Sequence, residues 1–169
     1  MRVITFSGSI LDRAALLIKD AEGFSATWYT GSLGHSSIGY GFKSGGYATE
    51  YLINNDITSL ITRNQADDVL NDVLMDLYPE VLKTFKFIQR QELAANTVAV
   101  LIDMAYNLGI KQLEQFTAFL SFLRAGMTEN AIADMLNTEW AQQVGNRAVR
   151  DALNLTAEAG TLFLINLNN

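Results

Sequence analysis

Glu22 has the type and the setting of a proton donor. Ile10, Leu11, Ala14, Ala15, Ile18 and Ala21 make a helical stripe that runs into it, and Gly23 reads as the stop. Glu22 therefore falls in a last helical turn, where the macrodipole disfavours an anion by about 0.3–1 kcal/mol and so favours the protonated form. A carboxylic acid held in that form is what a glycosidic oxygen needs from its proton donor. Arg147 has the mirror-image placement: with Asn146 as cap, the arginine lies at the positive end of its helix. Two misplaced charges of opposite sign can satisfy each other across a tertiary contact, so the sequence predicts Arg147 on or close to Glu22. The bland alternative is two exposed helix ends that cost little.

The elements around Glu22 must aim it. Thr27-Trp28-Tyr29 reads as a strand, Gly31-Ser32-Leu33-Gly34 as a turn and Ser36 to Tyr40 as the returning strand, with a flexible loop at Ser44-Gly45-Gly46. Ser9 and Asp12 suggest a cap for the first helix, and Thr62-Arg63-Asn64-Gln65 is a capping box. Behind it Ala66, Val69, Leu70, Val73, Leu74 and Leu77 recur at helical spacing up to Pro79, which either kinks that helix or starts another. Leu93 to Leu108 is the most apolar segment and reads as the buried central helix. Further helices are expected at Leu113 to Ala125, Thr128 to Leu136 and from Asn146, with a turn around Trp140.

Composition narrows the class. A chain of 169 residues with no cysteine and one histidine leaves no disulfide framework, no thiol nucleophile and little basis for a structural zinc site. The net charge of −6 argues against nucleic acid and against a basic helix on an anionic membrane. No apolar run is long enough for a bilayer, and the first residues lack a secretory block, so the expected origin is a cytoplasm without a signal peptide. His35 and Ser37 would share a strand face, but no nucleophile elbow accompanies them, and a loop histidine is the plainer reading. Phe116, Phe119 and Phe122 read mainly as core. Asp67, Asp68, Asp72 and Asp76 read as a solvated acidic face.

The order Glu22-Gly23, Tyr29, Ser37-Ile38-Gly39-Tyr40-Gly41, Ile102-Asp103-Met104-Ala105-Tyr106-Asn107-Leu108-Gly109, Phe116-Thr117, Trp140 and Asn146-Arg147-Ala148 resembles the phage-type lysozymes, the muramidases of glycoside hydrolase family 24. The likeness runs from about Ile10 to Asn154. It implies an α+β, mainly helical, two-lobed fold in a single domain, 1–169. The small β-containing lobe would span about 24–62, and the helical lobe about 63–169 plus the first helix, 10–22.

It also implies cleavage of the β-1,4 bond between N-acetylmuramic acid and N-acetylglucosamine in bacterial peptidoglycan. In that scheme Glu22 is the general acid, Ser37 falls on the family's threonine, and Arg147 on an arginine that holds the glutamate. Tyr29, Gly41, Tyr106, Asn107, Phe116, Asp134 and Trp140 fall at substrate-binding positions. No cofactor or metal is implied, and the expected state is a monomer without membrane insertion. It would reach the wall as an endolysin through a holin, or as part of a virion.

Gly31 stands where the family has its catalytic aspartate, and Phe42 where many relatives have histidine. Three outcomes are open. Glu22 alone serves a lytic transglycosylase reaction; another acid (Glu50, Asp56, Asp103 or Asp134) replaces the missing group; or the groove binds peptidoglycan or a protein without cutting.

Overall fold

The computed structural model describes residues 1–31, 34–85 and 93–166. Helix α1 (Ile10–Glu22) starts at a full capping box: Ser9 Oγ accepts from Asp12 N at 3.2 Å, and Asp12 Oδ2 accepts from Ser9 N at 2.8 Å. It stops at Gly23, where φ is 65° and the N–H returns to Lys19 O at 3.0 Å. Glu22 is thus the last helical residue.

A three-stranded antiparallel sheet follows, made of β2 (Ser25–Thr30), β3 (Ser36–Gly39) and β4 (Phe42–Lys43). Tyr29 stands opposite Ser37, and Ser37 opposite Lys43. Gly34 N bonds Gly31 O at 2.9 Å, as a turn requires; Ser32 and Leu33, also assigned to that turn, lie outside the described residues. Helix α2 (Thr49–Asn54) comes next, an element the sequence reading did not expect.

Helix α3 (Arg63–Thr84) opens at the Thr62/Gln65 capping box and buries the expected stripe. It continues through Pro79, which therefore does not start another helix. Helix α4 (Ala95–Leu108) is the central helix, with every residue from Asn96 to Ala105 buried; its start lies two residues later than expected. Helix α1 packs against α4 and α3, which fixes the base from which Glu22 projects.

The remaining helices are α5 (Ile110–Leu113), α6 (Thr117–Arg124), α7 (Thr128–Leu136), α8 (Glu139–Val144) and α9 (Asn146–Thr156). The structure departs from the sequence expectation at three points. The single helix from Leu113 to Ala125 is interrupted: Phe116 N bonds Leu113 O and Thr117 N bonds Gln115 O, so the chain turns before α6 begins. The turn around Trp140 is a helix, because the Thr138 hydroxyl accepts from Ala141 N at 3.1 Å and caps α8. The cap of α9 is Gly145, with φ at 54°, rather than Asn146, yet Arg147 still lies in the first turn.

Strands β1 (Arg2–Thr5) and β5 (Thr161–Leu164) pair antiparallel, joining the two ends of the described chain. Short runs that find a partner only across the whole sequence carry no local hairpin signal. The result is the mainly helical α+β architecture that the sequence implied.

Candidate active site

Arg147 Nη1 donates to Glu22 Oε1 at 2.6 Å, joining the C-terminal end of α1 to the N-terminal end of α9. Each charge answers the dipole problem of the other. The Glu22 side chain is 22% exposed and that of Arg147 7%, so the acid opens outward while the arginine lies behind it. Burial works to remove the Arg147 proton, but Asp103 and Glu22 outweigh it and hold the guanidinium charged.

Gly41 sets the other wall. Its φ is 77°, and a Cβ there would lie 2.7 Å from Glu22 Oε2. Only a residue without a side chain lets the turn between β3 and β4 approach the carboxyl so closely. Glu22 and Gly41 line a cavity of about 220 Å³ together with Lys43, Tyr47, Tyr106 and Asn107. Tyr106 is fixed there because its hydroxyl donates to Tyr40 O at 2.7 Å, tying α4 to the residue before Gly41. Burial, and then the charge of Glu22, push the Tyr106 phenol well above its ordinary range, so it stays a neutral donor.

Ser37 is buried and is not among the residues lining that cavity. It stands opposite Tyr29 across the strands. Tyr29 is raised by burial first and by Glu22's charge second, which puts it within the electrostatic reach of the acid.

Asn107 links this cavity to a second one. Its Oδ1 accepts from Trp140 Nε1 at 2.9 Å, and the Trp140 ring meets Phe116 edge-on at 6.0 Å. Phe116, Asp134, Trp140 and three glutamines line an adjoining cavity of about 490 Å³, and Leu108 belongs to both. Seven of the predicted residues thus fall into two groups, Glu22, Gly41, Tyr106 and Asn107 in one cavity and Phe116, Asp134 and Trp140 in the next, while Tyr29, Ser37 and Arg147 line neither.

The replacement acids fare differently. Asp103 is fully buried and held by two arginines, so it is not a cleft acid. Asp134 lines only the second cavity, and neither Glu50 nor Asp56 lines either one. The acidic face of α3 is also more engaged than expected. Asp67 bonds Lys19 at 2.7 Å and the Tyr40 hydroxyl at 2.8 Å, and Asp76 accepts from the Tyr51 hydroxyl.

Sequence reasoning passed over Arg150 and Asp151, which continue the charged row behind Arg147. The available signal was Asp103 itself, a charge in the middle of the most apolar helix, which demands a buried partner.

The sequence model described as phage lysozyme matches residues 19–155. The chain belongs to the phage lysozyme family. No curated protein matches it. Family membership supports a lysozyme-type function directed at peptidoglycan. The matched span contains Glu22, Arg147 and both cavities, while β1 and β5 lie outside it. Gly31 is the position where the resemblance drawn from the sequence expects an aspartate. Its backbone N–H bonds His35 O at 3.0 Å, and among the described residues the nearest atom to a Cβ built on it is that oxygen, at 3.8 Å. Phe42, the second departure, is buried in the core and packs edge-on to Tyr40 at 6.2 Å.

Proposed function

We propose that the protein is a peptidoglycan muramidase, a single domain spanning 1–169, in which Glu22 protonates the bridging oxygen between N-acetylmuramic acid and N-acetylglucosamine. One arrangement carries this reading: a carboxyl at a helix end, clamped by Arg147 at 2.6 Å and pressed against Gly41 at the wall of a cavity. The Glu22 proton passes to the departing sugar oxygen as its bond to the anomeric carbon breaks. A water oxygen then bonds that carbon, and the water's proton returns to Glu22. Ser37 is the positioning hydroxyl, and Tyr29, Gly41, Tyr106, Asn107, Phe116, Asp134 and Trp140 take up the glycan strand and its surroundings.

A second reading is favoured by one observation: Glu22 is the one carboxyl group among the described residues lining this cavity. Two-carboxylate hydrolysis needs a partner acid roughly 5–9.5 Å away. A lytic transglycosylase needs none, because the C6 hydroxyl of the muramic acid closes onto the anomeric carbon and returns its proton to Glu22.

The setting proposed is a phage or prophage product made in the host cytoplasm, acting on the wall as a monomer after holin release or from a virion. Digestion of purified sacculi with mass spectrometry of the soluble fragments tests the reaction. Reducing ends establish hydrolysis and anhydro ends transglycosylation. No fragments, with the protein sedimenting on the sacculi, would replace both by a binding module.

A further inference from the structure

Behind Arg147 lies a row of buried charge that the cleft chemistry does not use. The Asp103 carboxylate takes Arg147 on one side and Arg150 Nη2, at 2.6 Å, on the other. Arg150 is itself fully buried and spends Nε and Nη2 on Asp151 Oδ1 at 3.0 and 2.7 Å. Its Nη1 reaches Leu17 O at 2.6 Å and Asp20 Oδ2 at 3.3 Å, and Asp20 also accepts from the backbone of Ile165 and Asn166. Two guanidinium groups therefore face four carboxyl groups, those of Glu22, Asp103, Asp151 and Asp20. With all four ionised, uncompensated negative charge would sit in the interior, which is costly.

Asp151 is where the excess resolves. It is completely buried, and its Oδ2 has no hydrogen-bond partner although Oδ1 accepts twice from Arg150. A bare carboxylate oxygen in such a place is unfavourable, whereas a carboxylic acid has a proton to share. Asp103 is its neighbour, because Arg150 Nη2 donates to both carboxyl groups, at 2.6 Å to Asp103 Oδ2 and 2.7 Å to Asp151 Oδ1. Burial first, and then the charge of Asp103, push Asp151 up to about 8 against the pull of Arg150 and Arg147. Burial pushes Asp103 the same way, but Arg147 and Arg150 outweigh it and keep that carboxylate low.

We propose that Asp151 is a positioning residue: a neutral acid that gives its proton to a hydrogen bond with Asp103. Asp103 then stays charged and turned toward Arg147, and Arg147 holds Glu22 at the cavity wall. This rests on the role proposed above for Glu22. The charged groups facing Asp151 are Asp103 from α4 and Arg147 and Arg150 from its own helix, with Asp20 of α1 joined through Arg150. Loss of the Asp151 proton adds a charge that competes with Asp103 for Arg150, and the change passes through Asp103 and Arg147 to Glu22.

The test is a carboxyl-carbon NMR titration of the full chain labelled at Asp and Glu, from about pH 4 to about pH 9, with cleavage of sacculi followed over the same range. One aspartate carboxyl should titrate near 8 in the wild-type protein and vanish in Asp151→Asn, and the Glu22 carbon should show an inflection at the same pH. Asp151→Leu should lower kcat by about tenfold with little change in KM, and Asp151→Asn, whose amide can still donate to Asp103, should recover most of it. An Asp151 that titrates in the ordinary carboxylate range, or a Glu22 resonance with no inflection near 8, overturns the proposal even if the leucine variant fails to fold. Uncut sacculi with both titrations as expected would sink the muramidase reading and leave this coupling standing.

Discussion

Asp103 accepts from two of the three guanidinium nitrogens of Arg147, Nε at 2.9 Å and Nη2 at 2.8 Å, so that Nη1 alone reaches Glu22. The clamp on the acid is therefore only as firm as the fork behind it. A bidentate pair fixes the guanidinium plane, and the plane fixes the direction of the remaining N–H.

Removing that fork should be severe. Asp103→Ala leaves Arg147 and Arg150 buried without their shared partner, and a broken buried pair costs about 3–5 kcal/mol. Chemical denaturation reads the loss directly; a change of under about 1 kcal/mol would mean that the arginines find other partners.

Gly41→Ala separates stability from activity. The positive φ alone costs about 1 kcal/mol for an L-residue, while the new methyl lies where it must displace Glu22 Oε2, 2.7 Å away. A shift of about 1 Å at a reacting group costs on the order of 10²-fold in rate. Sacculus digestion by the alanine variant should therefore fall far more than its melting temperature suggests, and full activity would remove Gly41 from the site.

Stability should depend on pH through Asp151. Its proton is bound more tightly in the folded chain, up to about 8, than the ordinary 3.8, so between those values the native state holds a proton that the unfolded state has released. Unfolding free energy should then fall as pH rises through that window, by at most about 1.4 kcal/mol per pH unit. The lowered Asp103 acts with the opposite sign and below the window. Urea titrations at several pH values should show this decline in the wild-type protein and lack it in Asp151→Asn. Equal slopes would show that Asp151 is ionised when folded.

Gly31→Asp tests the missing carboxylate. No positive φ is imposed there, and among the described residues the nearest atom to a Cβ is 3.8 Å away, so a side chain can begin at this position without a clash. If the absent charge limits the reaction, the variant should cut sacculi at least about tenfold faster and shift the products toward reducing ends. An unchanged rate would show that another group already does this work.

Much of the helical frame was legible because its signals are local. The capping boxes at Ser9 and Thr62 and the stripe from Ala66 to Leu77 each lie within one element, and the structure keeps them. The two dipole-opposed charges were legible as a pair because each is anomalous alone. Arg150 and Asp151 were not, since nothing in Ala148-Val149-Arg150-Asp151-Ala152 distinguishes a solvated helix face from a buried one; only packing against α1 and α4 does. The β1–β5 pairing was hidden for a related reason, as strands at opposite ends of a chain share no turn. The motif gave Ser37 a position in the chain but not its surroundings: it stands opposite Tyr29 and outside the lining of the Glu22 cavity, which only the strand register reveals.

Glu22→Gln is the most direct test. The amide keeps the size of the side chain and can still accept from Arg147 Nη1, but it has no acidic proton to give. Fragment release from purified sacculi should drop to background while the melting temperature shows that the variant stays folded. Continued release of muropeptides by this variant at the wild-type rate would contradict the assignment of Glu22 as the acid.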